Sequence, residues 1–252
     1  MIPLASFLIS TRNRPALLKK CVQSLISTAS DIMAFEVVLR MGFDDFETQK
    51  VLPELMSMCV CRTIISWPLD GYNSVPWFAQ EMSRLACGKW SWLLGDDCEL
   101  KGSDWIYHLT GLPDIVSVQP EWNQLNTSGY QHVKHGPFVC LPTWWLQKHA
   151  PELSLPLDKC IENILTKQKI QTCFIPELKI IHHNPPPSEL VHERAMDKWT
   201  SGQLTYLRPD MKMGAIKTKT EPVPIAHMPV RIYDPHDRSH GRIQVSPGMR
   251  RK

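Results

Sequence analysis

The sequence predicts an α/β domain on a mostly parallel sheet flanked by helices, followed by an irregular C-terminal tail. Three observations carry that reading. In the first hundred residues, short apolar runs alternate with segments whose apolar residues recur at helical spacing, the pattern of a sheet covered on both faces. Polar clusters stand just after three of the predicted strands, where the carboxyl ends of parallel strands share one edge. From Arg208 onward Pro, Lys, Arg, Thr and His replace apolar periodicity.

Residues 4 to 10 form the first apolar strand, and Pro15 then opens a helix in which Leu17, Leu18, Cys21, Val22, Leu25 and Ile26 share a face. Phe35 to Arg40 is the second strand. A helical stretch from Phe46 to Met58 leads to a third at Cys61 to Ser66. A helix from about Ser74 to Ala86 aligns Val75, Phe78, Met82 and Leu85, and Gly88 reads as its terminator. Trp90 to Leu94 is the fourth strand. The second half is less regular. Ile115 to Gln119 and Phe138 to Leu141 read as strands separated by a polar loop with Trp122, Asn123, Asn126 and Gly129. Leu157 to Lys169 is an amphipathic helix, two short strands follow at Thr172 to Ile175 and Leu178 to His182, and Pro185 to Pro187 breaks the chain. Ser188 to Tyr206 reads as a last helix with Ser188 as its cap.

Composition excludes some classes. At 252 residues, 43% hydrophobic and 21% charged, the chain can bury a proper core, so wholesale disorder is excluded. The net charge of +3 is uneven: residues 208 to 252 hold ten Lys/Arg against four Asp/Glu, so the tail is +6 and the body mildly acidic. The tail has too little apolar surface to offset ordering and is expected to be flexible or draped. Its basic residues are spread out, and no nucleic-acid partner is expected. The eight cysteines lack disulfide-scaffold or C-x-x-C spacing and read as buried thiols of a reducing compartment; Cys59-Val-Cys61 reads as alternation at a strand start. The N-terminus lacks a basic leader and no apolar run reaches the length of a membrane span, so a cytoplasmic location is expected.

The polar clusters carry the chemistry. They are Thr11-Arg12-Asn13-Arg14 after the first strand, Asp44-Asp45 after the second and Asp96-Asp97, with Glu99, after the fourth. Arginine neutralises phosphate oxygens, and adjacent carboxylates offer hard oxygen ligands to the divalent cation that bridges them. Neither a G-x-x-x-x-G-K-[ST] loop nor G-x-G-x-x-G is present, so phosphates must be held by side chains and metal.

Leu8 to Leu25, with its Ser10-Thr-Arg-Asn-Arg-Pro15 core, resembles the opening of family 2 glycosyltransferases. Gly71-Tyr-Asn73, Ala86 to Asp97, Pro156-Leu-Asp158 and Ile175 to His182 add further similarity in consistent order over residues 4 to 200. The resemblance implies the Rossmann-like GT-A nucleotide-sugar-binding fold over residues 1–207, with a nucleotide-binding half at 1–100 and an acceptor and catalytic half at 101–207; residues 208–252 are the tail. It implies a UDP- or GDP-sugar donor, a Mn²⁺ or Mg²⁺ cofactor, and a saccharide, lipid or protein acceptor. Thr11, Arg12, Arg14, Asp44, Asp45 and Asp96 would then contact the donor, with Asp44 or Asp45 on the base and Asp96 near the ribose. Asp97 and His182 would hold the metal, with His183 as a substitute for His182, and Asp158 would be the base at the amino end of its helix. The sequence departs from relatives with Asp-Asp-Gly-Ser after the second strand. It also lacks the Gln-x-x-Arg-Trp signature of processive synthases, which favours a hexosyltransferase-type enzyme making single additions. Trp122, Trp144 and Trp145 are candidates for stacking on acceptor sugars or for filling the core. Competing readings are a non-catalytic nucleotide-sugar-binding or scaffold protein and a Gly-Asp-Asp nucleotidyltransferase.

Overall fold

The computed structural model describes residues 2–66, 74–102, 104–113, 116–126, 129–133, 139–155, 157–183 and 231–233. Gly71-Tyr-Asn73, Pro156 and the expected helix at 188–206 lie outside them. β1 (Ala5–Ser10), β2 (Phe35–Gly42), β3 (Val60–Ser66) and β4 (Trp90–Gly95) form a parallel sheet in the order β3-β2-β1-β4. Ser10 is level with Gly95, so β1 and β4 end in register, while β2 runs two residues past Arg40, the partner of Ser10, to Gly42; all three deliver their following residues to one edge. The second half continues the sheet with β5 (Cys98–Gly102), β6 (Ser117–Asn126), β7 (Gly129–Val133), β8 (Cys140–Pro142) and β9 (Thr172–His183). Beyond β4 the order is β8-β6-β9-β5, and β7 pairs with β6.

Helices cover both faces. On one side α1 (Pro15–Ser27), the short α2 (Phe46–Lys50), α3 (Leu52–Met58), and, further along the chain, a short helix at Trp105–Leu109 follow the polypeptide over a core that contains Ala5, Phe7 and Ile9 of β1. Alternation sends Leu8 to the other face, where it meets Phe78, Ala79 and Met82 of the helix Val75–Ser83. We number that helix α4 and Trp105–Leu109 α5. Thr143–His149 (α6) and Leu157–Lys167 (α7) complete that second layer with Trp145, Leu146, Ile161 and Leu165. On the first face, Phe7 meets Phe35, Trp92 and Trp105 with ring centroids 5.1 to 5.6 Å apart. Burying each such ring contributes about 1.5–3 kcal/mol, so this cluster is a principal anchor of β1.

Several expected elements differ. The helix expected over Phe46 to Met58 is two pieces meeting at Val51, because Pro53 has no N–H to continue the ladder. The polar stretch around Trp122 to Gly129 is a β6/β7 hairpin in which Asn126 pairs with Gly129, since ladder pairing uses backbone groups and tolerates polar side chains. The two short strands after α7 are one strand, β9, whose register against β6 jumps from Ile175 to Lys179 opposite Pro120 and Glu121. Within the tail, Arg231–Tyr233 forms β10, antiparallel to Ile65–Thr63 of β3. The cysteines form no disulfide; Cys21, Cys59, Cys61, Cys98 and Cys140 are buried as expected, but Cys87 is exposed and Cys160 and Cys173 are half-buried. Burial pushes the Cys59 and Cys61 thiols up to about 12. Among the described residues no helix is long and apolar enough to cross a membrane.

Gly88 does not end α4, which stops at Ser83. It lets the turn before β4 lie against β1: its N–H donates to Ser6 Oγ at 2.8 Å, and Ser6 Oγ donates to the buried Glu36 Oε1 at 2.6 Å. Glu36 also accepts the Cys87 N–H and pairs with Arg62 at 2.7 Å, so one carboxylate ties β1, β2, β3 and this turn together. A Cβ on Gly88 would stand 2.6 Å from the Ala5 carbonyl carbon and 2.7 Å from the Ser6 nitrogen. Gly88→Ala is therefore expected to destabilise the fold by about 1–3 kcal/mol through overpacking. The measurement is the urea midpoint at unchanged m-value; a parental midpoint would show that the turn separates from β1 without cost.

Candidate functional site

The register of β1 and β4 sets the first contact. Because Ser10 lies beside Gly95, Thr11 and Asp96 leave their strands as neighbours, and Thr11 Oγ1 donates to Asp96 Oδ2 at 2.7 Å. The Thr11 N–H is held by the Arg40 carbonyl at 2.9 Å. Asn13 then adopts φ 53°, a left-handed conformation that Asn tolerates, and the chain turns sharply into α1. That turn brings Arg14 back over the acids. Its Nη2 lies 2.5 Å from Asp96 Oδ1 and its Nη1 3.3 Å from Asp97 Oδ2.

The Asp96–Asp97 turn joins β4 to β5, but these strands do not pair with each other: β4 lies between β1 and β8, and β5 pairs with β9. The turn is thus not the tip of a hairpin, which removes the geometric basis for a polymerase-like Gly-Asp-Asp reading. Antiparallel pairing of β5 with β9 sets Cys98 opposite His182, and the His183 N–H donates to the Asp97 carbonyl at 2.8 Å. His182 Nε2 consequently reaches Asp97 Oδ1 at 3.3 Å, while His183 Nε2 pairs with Glu99 Oε2 at 2.9 Å. It is the side chain of His182, not that of His183, that the structure brings to the Asp97 carboxylate. Glu99 also takes Lys101 at 2.6 Å.

Gly95 gives Asp97 its seat. A Cβ there would stand 2.5 Å from Asp97 Oδ1, so only glycine admits the carboxylate in this position. The sequence motif named this glycine without assigning it a role. β5 and the Glu99–His183 pair also went unrecognised, although Cys98, Glu99, Leu100 and Lys101 alternate as a strand does.

The two acids differ electrostatically. Burial pushes Asp96 up to about 7, against the opposing Arg14 charge and the Thr11 hydroxyl. Burial also raises Asp97, but His182, which hydrogen-bonds it and adds charge, and Arg14 outweigh it, so Asp97 lies below the usual carboxylate range. Asp96 has no exposed surface and Asp97 is 9% exposed.

At the end of β2 the labour is divided again. Asp45 is buried and spent on backbone: Oδ2 accepts the Asn13 N–H at 2.8 Å and Oδ1 the Thr48 N–H at 3.1 Å, capping α2. Asp44 is exposed and forms a bidentate pair with Arg12 at 2.8 and 3.1 Å. Asp158 sits half-buried in the first turn of α7, where among the described residues it makes no hydrogen bond or ion pair. Trp145 is a core residue: it is wholly buried, and its indole N–H donates to Gln168 Oε1 at 2.6 Å. Trp144 is 46% exposed; no side-chain position is described for Trp122.

A divalent ion of the Mn²⁺ or Mg²⁺ type typically takes one or two protein ligands and completes its octahedron with phosphate oxygens and water. Adjacent ligands about 2.1 Å from such an ion stand about 3 Å apart, and Asp97 Oδ1 and His182 Nε2 are 3.3 Å apart. Carboxylate plus imidazole suits Mn²⁺. Among the described residues no three His, Cys, Asp or Glu side chains form a dedicated cage. Asp97 and His182 could thus supply two ligands of such an ion.

No protein-family model and no curated protein matches the chain. Solved structures do. S. aureus TarS residues 1–349 superposes with a TM-score of 0.57 at 12% identity over 72% of this chain and 60% of its own. The same protein in complex with UDP-GlcNAc gives 0.55 at 13% identity, over 71% and 58%. The mannosyltransferase PcManGT from Pyrobaculum calidifontis, in complex with GDP-Man and Mn²⁺, gives 0.57 at 9% identity, over 77% and 60%. The chain spans about three fifths of the length of these structures. The fold is the GT-A glycosyltransferase fold, and at these identities the likeness speaks to fold alone.

The acid pair makes a signed pH prediction. Folded Asp96 holds its proton from its ordinary 3.8 up to about 7, so the folded state binds more protons in that window and stability falls as pH rises through it. Asp97 has the opposite sign in another window: its contribution is present above its ordinary 3.8 and is lost as pH falls through its lower folded value. Asp96→Asn should flatten the decline of Tm between about pH 4 and 7 while leaving the acid limb below it. An unchanged slope in the folded variant would show that Asp96 does not hold a proton across that range.

Proposed function

We propose that the protein is a metal-dependent glycosyltransferase that moves a single sugar from a UDP- or GDP-sugar to a saccharide, lipid or protein acceptor. The observation that carries this reading is the meeting of Asp97, His182 and Arg14 at the shared carboxyl edge of β1 and β4. That edge is where open α/β sheets bind ligands. Support comes from structural neighbours whose bound ligands are UDP-GlcNAc in one case and GDP-Man with Mn²⁺ in another.

Each side chain then has a task. Asp97 and His182 hold Mn²⁺ or Mg²⁺, which when bound neutralises the charge that grows on the departing diphosphate. Arg12 and Arg14 orient phosphate oxygens through their planar donor forks. Asp44, solvent-facing beside Arg12, is the acid available to the nucleoside, whereas Asp45 fixes the loop. Asp96, wholly buried, acts as a positioning residue for Thr11 and Arg14 and not as the ribose ligand that the resemblance implied. Asp158 takes the proton from the acceptor hydroxyl as it attacks the anomeric carbon.

Donor binding is tested first. Asp97→Asn should keep the parental circular dichroism spectrum yet lose the Mn²⁺-dependent rise in Tm given by UDP- or GDP-sugars, because a charged oxygen ligand is withdrawn. A folded variant with parental metal dependence would sink the metal assignment. Catalysis is tested separately through Asp158→Asn. Donor affinity should hardly move while transfer, or donor hydrolysis as its proxy, falls by about 10² to 10⁴. Persistence of the parental rate would reduce Asp158 to a helix-end acid favoured by the macrodipole.

A further inference from the structure

The guanidinium of Arg14 is held unequally. Its Nη2 is 2.5 Å from Asp96 Oδ1, on a carboxylate with no exposed surface, whereas its Nη1 reaches Asp97 Oδ2 only at 3.3 Å. Among the described residues the buried Arg14 Nε has no hydrogen-bond acceptor. The group is thus anchored electrostatically to a buried acid while part of its donor fork is unspent, which is costly away from water. Its backbone is fixed as well: the Arg14 carbonyl accepts the Leu18 N–H at 3.0 Å as α1 begins.

We propose that Arg14 is a tethered competitor for Asp97, keeping that acid from a divalent cation until a nucleoside diphosphate draws the guanidinium away. This rests on the metal- and diphosphate-binding reading above. Without nucleotide, an incoming Mn²⁺ meets an acid whose charge Arg14 already offsets, and it must displace Nη1 to no better acceptor. With nucleotide, the phosphate oxygens offer that fork two-point acceptors and supply the ligands that Asp97 and His182 lack. Metal and nucleotide affinities are thereby coupled through one side chain, and the coupling is reciprocal.

The test is a Mn²⁺ titration of the full chain, following loss of the aqueous Mn²⁺ electron paramagnetic resonance signal, with no nucleotide, with UDP and with GDP. The parent should bind Mn²⁺ at least about tenfold more tightly with one of the nucleotides than without. Arg14→Gln should tighten nucleotide-free Mn²⁺ binding by about tenfold, since a unit positive charge beside the ligand is removed, and the nucleotide effect should shrink. Nucleotide-free affinity equal to the parent's overturns the inference while leaving the metal reading standing. Parental Mn²⁺ binding that appears with neither nucleotide overturns the metal reading and this inference together. Asp97→Asn in the Arg14→Gln background should abolish the gain; a gain that survives places the ion elsewhere and also overturns the inference. If Arg14→Gln does not fold because the buried Asp96 is left without its partner, Arg14→Gln/Asp96→Asn removes both members of the pair, and the same gain is required of it.

Discussion

A carboxylate wholly withdrawn from water, Asp96, is the contact on which the site depends. Burial makes that acid costly to ionise, and the Thr11 hydroxyl and the Arg14 guanidinium offset part of the cost. Both partners come from the four residues after β1. Their arrangement demands that β1 and β4 end level, that the chain turn at Asn13, and that α1 begin at Pro15. Asp97, one residue on, thereby meets Arg14 and His182, beside the Gly95 position where a Cβ would crowd its carboxylate.

The same division occurs twice. In Asp44–Asp45 and in Asp96–Asp97, one acid of each pair is committed to the scaffold, while its neighbour pairs with other side chains: exposed Asp44 with Arg12, and nearly buried Asp97 with Arg14 and His182. Consecutive side chains diverge, so an adjacent pair suits one residue for holding and one for contact. The scaffold members differ in chemistry. Asp45 is satisfied by two backbone N–H groups, whereas Asp96 depends on side chains, so the second site is the more sensitive to substitution nearby.

The parallel half of the fold was legible in the sequence because it obeys local rules. Apolar runs at 4–10, 35–40, 61–66 and 90–94 are short, and Pro15 marks a helix start that needs no tertiary help. The polar clusters at the strand ends were legible for the same reason. Long-range pairing was not. Whether residues 172–183 make one strand or two depends on a register jump against β6, and the polar hairpin at 117–133 is fixed by its partners. Nor could spacing tell which histidine side chain meets Asp97 and which meets Glu99, since the β5–β9 ladder sets that.

β10 brings residues 231–233 onto the free side of β3, and that pairing has a consequence for biosynthesis. A ribosome delivers β1 to β4 long before it delivers this segment, so the parallel sheet can assemble while the outer N–H and C=O groups of β3 still lack their partner. An open strand edge recruits whatever extended chain is near, including a second nascent copy. Closing it requires a contact between residues far apart in sequence, which is slow to find. The interval between emergence of β3 and docking of β10 is therefore the period when the chain is most prone to pair with its own kind, and chaperone dependence should concentrate there.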